Sequence, residues 1–485
     1  FRISSFLNYK NCKTPRITPP VNFRLPVPAI FPEHTIMIPY LDYLNHLINK
    51  NSEEFGRYKN LKWLSPFEAE SYEQKRNQLL SASLNWSFLA TKPWINYLSK
   101  GCQICGSGKW LCLFIAGKCN ASCFYCPAPQ QQDDIPTAQQ LQFNDAVGFR
   151  EFVDFFAFSG VSFSGGEPLL AFNNVIHYLR ELRKNGNPTL YIWLYTNGIL
   201  ASQEKLKKLA AEGLDEIRFD IGATGYNLTA LKKATHLFPT LTVEIPAIPE
   251  EREKLKQLLP QLIDAGVTQL NLHQLRLTHY NAEKLIARGY TFLHGEAPVA
   301  LESELTALEI MQFAVEKHLP IGVNYCNLQY KRRFQKAGYR KTIATKFADP
   351  LEKVTKQGFL RSLYVSEEEI QYLETLNHPQ LSRVTTEQFL SCFSRYKTVI
   401  VRYRGILLHE DYGEYLQTVP FNTGSKTLQC TPANAIIPIE LHGEQIQKFV
   451  QLITSENDAM APPDNETLFL IWQHEFIEKG LRPYY

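Results

Sequence analysis

Gly117-Lys-Cys-Asn-Ala-Ser-Cys-Phe-Tyr-Cys-Pro127 places Cys119, Cys123 and Cys126 in a C-x3-C-x2-C spacing. Three thiolates so spaced can hold three corners of a cubane iron-sulfur cluster and leave the fourth iron open, whereas clusters that only carry electrons are tied by four Cys. An open iron implies an exchangeable ligand and a cluster that does chemistry. Downstream, Ser162-Phe-Ser-Gly-Gly-Glu-Pro168 follows an apolar run. Gly165 and Gly166 allow the backbone to approach a ligand closely, and Glu167 offers an acceptor to an ammonium group. The alternative for this segment is a strand-to-helix turn with Pro in the first helical turn.

The chain beyond the triplet alternates strand and helix. Leu190-Tyr-Ile-Trp-Leu-Tyr-Thr-Asn-Gly198 reads as a buried strand ending in polar residues. The segment 215–221 alternates, with Arg218 and Asp220 on one face, while 240–248 and 267–275 supply further strands, the last bringing His273 and Gln274 to a strand end. Helical patterns cover 144–155, 174–184, 203–211, 228–237 and 250–265, with Gly213 and Gly266 as stop signals. Six such units predict an α/β fold with right-handed crossovers, an open partial (β/α)6 barrel over 111–280. The site of such a sheet lies at the carboxyl ends of its strands. Cys119, Glu167, Asn197, Asp220 and His273 all fall there.

The triplet with Phe124-Tyr125 inside it, followed by Gly-Gly-Glu-Pro, resembles the radical S-adenosylmethionine (radical SAM) superfamily over about 111–277. The resemblance implies a [4Fe-4S] cluster on Cys119, Cys123 and Cys126 whose open iron is chelated by the amino and carboxyl groups of S-adenosylmethionine. It implies cofactor contacts from Phe124, Tyr125, Gly165, Gly166, Glu167, Thr196, Asn197, Asp220 and His273, with Pro246 and Ala247 against adenine and Glu244 as a weaker candidate. Asp220 reads either as a ribose-hydroxyl acceptor or as half of a salt bridge with Arg218, and His273 either as a structural or as a catalytic residue. One electron from a reduced flavodoxin or ferredoxin would cleave the sulfonium, and a 5′-deoxyadenosyl radical would abstract hydrogen from an unactivated C–H bond.

A second cysteine group lies just upstream. Gly101-Cys-Gln-Ile-Cys-Gly-Ser-Gly-Lys-Trp-Leu-Cys112 has C-x2-C-x6-C spacing, with Gly106 and Gly108 for a tight knuckle. Cys102, Cys105 and Cys112, completed by Cys326 in Ile321-Gly-Val-Asn-Tyr-Cys326, are expected to hold a mononuclear Fe or Zn tetrahedrally; a second iron-sulfur cluster or no metal are the alternatives. Cys12, Cys392 and Cys430 read as free thiols. The knuckle, with Val323-Asn-Tyr-Cys-Asn-Leu-Gln-Tyr-Lys331 and Arg332-Arg-Phe-Gln-Lys-Ala-Gly-Tyr-Arg340, resembles the cobalamin-dependent radical enzymes that C-methylate an arginine of methyl-coenzyme M reductase in methanogens. That resemblance implies cobalamin and a protein or peptide substrate. The chain departs from it in its long N-terminal region and in lacking an Asp-x-His-x-x-Gly cobalamin signature. A cobalamin-independent peptide maturase or a glycyl-radical activating enzyme is the alternative.

Composition bounds the rest. The chain has 485 residues, 44% hydrophobic and 12% aromatic, with a formal net charge of +3. No global field demands nucleic acid. No apolar stretch approaches the ~20 residues of a membrane span and no signal-peptide core is present, so a cytoplasmic enzyme is expected. Ten Cys are read as metal ligands in a reducing compartment rather than as disulfides. Lys331, Arg332, Arg333, Lys336, Arg340 and Lys341 form a basic run that is either a solvated helix face or a surface for an acidic partner or phosphate. The expected organisation is a Pro-rich arm and helical region over 1–99, the knuckle over 100–110, the barrel over 111–280, a connector with Cys326 over 281–345, and a small α+β domain over 346–485. That last domain is a candidate for cobalamin or substrate binding, with His409 its most accessible side chain.

Overall fold

Seven short segments form parallel strands that neighbour one another in chain order. They are β1 (Trp110–Ala116), β2 (Gly160–Gly165), β3 (Tyr191–Thr196), β4 (Glu216–Phe219), β5 (Thr240–Pro246), β6 (Gln269–His273) and β7 (Gly322–Cys326). The computed structural model describes residues 39–81, 84–130, 135–370, 376–410, 421–423, 426–433, 438–456 and 460–484. The Pro-rich arm at 15–32 and Cys12 therefore lie outside the described residues, as do the side chains of His409 and Cys430.

Near-continuous apolar sequence is what a parallel sheet covered on both faces requires. Leu111, Leu113, Val161, Phe163, Ile192, Leu194, Ile217, Val243, Leu270 and Val323 are all fully buried in one core. Each such side chain contributes about 1.5–3 kcal/mol by leaving water. The helices between strands are α2 (Ala146–Phe155), α3 (Phe172–Asn185), α4 (Gln203–Ala211), α5 (Arg252–Asp264) and α6 (Leu301–Glu316), preceded by α1 (Lys100–Ser107) and followed by α7 (Lys336–Phe347). Their starts follow from side-chain caps. Asp145 accepts from the Gly148 amide at 2.7 Å, and the Ser202 hydroxyl accepts from the Lys205 amide at 3.2 Å. The helix expected over 228–237 shrinks to Thr229–Lys232, because Leu228 offers no side-chain cap and Pro239 ends the segment.

The sheet corrects the expected boundaries. The run with Cys326 is a seventh barrel strand, paired to β6 with His273 opposite Cys326, and α6 is its crossover. Residues 85–87 and 92–95, assigned to the N-terminal region, pair antiparallel on the outer edge of β7. They cover an edge that would otherwise be open to intermolecular pairing. The expected knuckle is the helix α1, so Cys102 and Cys105 stand one turn apart on it rather than in a loop. In the C-terminal domain, Thr398–Glu410 is a single strand, central to a sheet that packs on Phe449, Ile471 and Trp472. The chain then returns to the barrel, where the Tyr484 hydroxyl donates to Glu304 at 2.7 Å and Arg76 donates to the Arg482 carbonyl at 2.8 Å. No helix among the described residues is long and apolar enough to cross a membrane.

Candidate functional site

The carboxyl ends of β2 to β6 and the loop after β1 enclose a cavity of about 180 Å³, with Cys119, Cys123 and Cys126 on its wall. The cysteine loop rests on the backbone of the Gly-Gly-Glu segment. Gly166 donates to the Ala116 carbonyl at 2.7 Å, Glu167 donates to the Lys118 carbonyl at 2.7 Å, and Cys119 donates to the Gln130 carbonyl at 3.3 Å. Thr278 and Asn281, just beyond β6, donate to the Pro127 and Tyr125 carbonyls at 3.0 and 3.2 Å. Sulfur is supplied with N–H donors as well. The Ala121 amide lies 3.4 Å and the Asn197 amide group 3.6 Å from Cys119 Sγ, and the Gln130 amide donates to Cys126 Sγ. Such donors favour thiolate over thiol. Burial acts the other way and raises the Cys123 thiol to about 11, so any metal taken up through these thiolates would release protons.

Gly165 and Gly166 serve this loop before any ligand. A Cβ on Gly166 would stand 2.0 Å from the Lys118 carbonyl oxygen, and one on Gly165, whose φ is +120°, would stand 2.2 Å from the Ala116 carbonyl oxygen. Gly166→Ala is therefore expected to lower stability by about 1–3 kcal/mol and to reduce iron per chain after reconstitution. Iron analysis beside a melting curve checks this, and full iron content at wild-type stability would contradict it.

Glu167 is placed differently from its expected part. It is 1% exposed, and its carboxylate accepts from the Leu169 amide at 2.9 Å, Thr196 Oγ1 at 2.8 Å and the Asn197 amide at 2.7 Å. An ammonium group would share this acceptor with three donors. Glu167 ties the end of β2 to the end of β3, and so sets Thr196 and Asn197 on the cavity wall. Asn197 reaches Asn120 in the cysteine loop at 2.7 Å. Tyr125 lines the cavity and donates to both oxygens of Asp220 at 3.0 Å. Burial pushes Asp220 up to about 7, with the Tyr125 hydrogen bond opposing it. Phe124 turns away from the cavity, with the Arg288 guanidinium 3.5 Å from its ring centre, against the cluster that contains Phe55 and Phe292. His273 is on the wall, and burial followed by Lys331 lowers its pKa to about 3, which keeps the imidazole neutral. Ala247 is fully buried behind β5.

Arg218 does not pair with Asp220. It points into the barrel floor, where it meets Glu216 at 2.9 Å and Glu244 at 2.7 Å. Thr242 Oγ1 donates to Glu216 at 2.7 Å and Asn271 donates to Glu244 at 2.9 Å. The sequence signal for this network was present in the alternation of charged and apolar residues along 215–221 and 240–248, but partners on neighbouring strands depend on register. Tyr195, Gln130 and Arg276, also on the cavity wall, carried no motif by which to find them.

The four thiols expected to form a tetrahedron are not arranged as a metal-holding group among the described residues. Cys102, Cys105 and Cys326 act electrostatically on one another and on the buried Lys92, and burial followed by Cys326 and Cys102 raises Cys105 to about 12. Lys92 Nζ sits 4.3 Å from the Tyr330 ring centre. Cys112 is hydrogen-bonded to Ser162 and Ser164 of β2, and it acts with Cys105 on Tyr195. The reason is the two-residue period of a strand: with Leu111 and Leu113 directed into the core, Cys112 faces the opposite side. Among the described residues, no group of three or more His, Cys, Asp or Glu side chains is arranged to hold a single metal ion.

The sequence profile of the Radical SAM superfamily matches residues 113–236. A protein of Methanocaldococcus jannaschii, provisionally named a glycyl-radical enzyme activating enzyme, is 30% identical over 276 residues, covering 54% of this chain and 72% of its own length. The chain belongs to the radical SAM superfamily. Among solved structures, Streptococcus suis SuiB bound to S-adenosylmethionine aligns at 12% identity over 59% of this chain and 61% of that chain, with a TM-score of 0.32. TsrM, a radical S-adenosylmethionine methyltransferase from Kitasatospora setae with cobalamin and a [4Fe-4S] cluster bound, aligns at 18% identity over 37% and 38%, with a TM-score of 0.28. The aligned parts span less than two thirds of either solved chain. Membership of the radical SAM superfamily implies a [4Fe-4S] cluster and S-adenosylmethionine as cofactors, and the half-buried thiols, their N–H donors and the adjoining cavity suit both.

Proposed function

We propose that this radical SAM protein holds its cluster on Cys119, Cys123 and Cys126, binds S-adenosylmethionine in the adjoining cavity, and acts on a protein or peptide side chain. The observation that carries the reading is the meeting of three thiols, the Gly165-Gly166 backbone and the strand ends at Thr196, Asn197 and Asp220 around one cavity. When bound, cluster and cofactor supply a one-electron cleavage that yields a carbon-centred oxidant, with the electron coming from a flavodoxin or ferredoxin. The chain's own residues position and enclose. Glu167 locks two strand ends together, Tyr125 and Asp220 form a hydrogen-bonded wall, and a neutral His273 adds no charge beside the reacting carbon.

Two continuations follow. The first needs no cobalamin: activation of a glycyl-radical enzyme or maturation of a peptide, and the name of the Methanocaldococcus jannaschii relative supports it. The second is cobalamin-dependent C-methylation of an arginine, supported by the sequence resemblance carried by the cysteine group at 101–112 and the segments at 323–340. Anaerobic reconstitution with iron, sulfide, dithionite and S-adenosylmethionine tests both. Deoxyadenosine without corrin absorbance after cobalamin loading is the expected result. Stoichiometric corrin with S-adenosylhomocysteine would select methylation, and absence of deoxyadenosine would overturn the radical reading altogether.

A further inference from the structure

Gln130 closes the cysteine loop at both ends. Its carbonyl accepts from the Cys119 amide at 3.3 Å, and its side-chain Nε2 donates to Cys126 Sγ and, at 3.2 Å, to the Ala128 carbonyl. Two acceptors on one side of the carboxamide fix its orientation, because turning it over would set oxygen against both. Oε1 is therefore directed away from the sulfur. It is buried and has no hydrogen-bond partner among the described residues, and Gln130 lines the cavity.

The side-chain acceptors at the ends of β2, β3 and β4 each receive a donor from within the chain. Glu167 takes three, as described above, and Thr196 Oγ1 accepts from the Gly198 amide at 3.0 Å. Asn197 Oδ1 accepts from the Ile199 amide at 3.0 Å, while its Nδ2 serves Asn120 and Cys119. Both oxygens of Asp220 accept from Tyr125 at 3.0 Å. A buried acceptor with no donor bears its whole desolvation penalty, and native structures rarely keep one without a reason. Gln130 Oε1 therefore gains most from a donor that enters the cavity.

We propose that Gln130 binds the cofactor: Oε1 accepts from the amino group of S-adenosylmethionine while Nε2 donates to Cys126 Sγ, so that one carboxamide joins cofactor and cysteine loop; this rests on the function proposed above. The amino group is the donor of choice because Gln130 is bonded to a proposed iron ligand, which sets Oε1 on the cluster side of the cavity. An amine that gives its lone pair to iron keeps two N–H bonds, and both need acceptors. The hydroxyls and the adenine amine belong to the other end of the cofactor.

The test is equilibrium dialysis of reconstituted holoenzyme against S-adenosylmethionine and against methylthioadenosine, which has the adenosine and the sulfur but no amino or carboxyl group. Gln130→Met keeps the length of the side chain and removes the acceptor. Per cluster-bearing chain, it is expected to weaken S-adenosylmethionine about tenfold and methylthioadenosine by about twofold or less. Equal losses for the two ligands would assign Oε1 to the adenosine, and unchanged affinity for both would leave Gln130 a brace of the loop alone; either result overturns the proposal. Should Gln130→Met fail to take up iron, Gln130→Glu decides. It presents an oxygen at the same place, so S-adenosylmethionine is expected to bind at least as tightly as to the wild type, and a fall of about tenfold overturns the proposal. Wild-type protein that loses affinity for S-adenosylmethionine with Gln130→Met, yet makes no deoxyadenosine under dithionite, would remove the radical reading and leave the binding assignment standing.

Discussion

Cys126→Ala is expected to abolish reductive cleavage of S-adenosylmethionine in a chain that still folds. Cys126 is half-buried on the cavity wall, its thiol receives the Gln130 side chain, and its amide donates to the Cys123 carbonyl at 3.2 Å. Removing the sulfur leaves that backbone turn in place and takes one of the three proposed iron ligands. Loss of an outer hydrogen-bonding partner of a metal ligand typically lowers activity about 10–100-fold, and loss of a ligand itself should exceed a hundredfold. Deoxyadenosine formation and the visible absorbance of the cluster should vanish together, while the melting profile of the metal-free protein changes little. Cleavage at wild-type rate by the variant would remove the cysteine loop from the chemistry. Loss of folding would show instead that the thiol is structural.

Arg218→Met is expected to be the most destabilising single change in the barrel floor. Arg218 is 3% exposed and Glu216 is 0% exposed, so the substitution leaves Glu216, with Glu244 beside it, without the guanidinium both share. Breaking a buried pair by removing one partner costs about 3–5 kcal/mol, whereas replacing the whole group with apolar residues is often neutral. For a domain of this size that corresponds to a fall in Tm on the order of 10 °C. Adding Glu216→Gln and Glu244→Gln should recover much of the loss. Calorimetry on the single and triple variants decides it. A single variant that melts with the wild type would mean that water or a cavity cation compensates the two carboxylates.

The barrel is largely legible in the sequence. The buried apolar run at 190–198 and the strand-like segments at 215–221, 240–248 and 267–275 became β3, β4, β5 and β6, because local composition and two-residue alternation announce a strand. The cysteine loop was legible for a related reason: three thiols within eight residues are neighbours in space whatever the remainder of the chain does. Strand β7 was read as a connector, because its pairing with β6 spans about fifty residues and two intervening hairpin strands. The same distance explains the cysteine knuckle. Cys102 and Cys112 are close in sequence, yet a helix and a strand of different orientation aim their sulfurs at different neighbours.

What the sequence determined by itself is the chemistry available to this protein: a three-thiol loop, a glycine pair after a buried strand, and the alternation that winds a partial barrel. Covalent spacing and residue periodicity are local quantities, and they survive without knowledge of the fold. Only the tertiary structure decided which polar groups remain for function. Glu167 is engaged by the start of the next helical turn and by the end of β3, Arg218 turns to the floor instead of to Asp220, and Arg333 of the basic run is paired with Glu478. Each of those outcomes depends on register and packing between segments far apart in the chain, where a hydrogen bond or an ion pair is assigned by geometry rather than by order of residues.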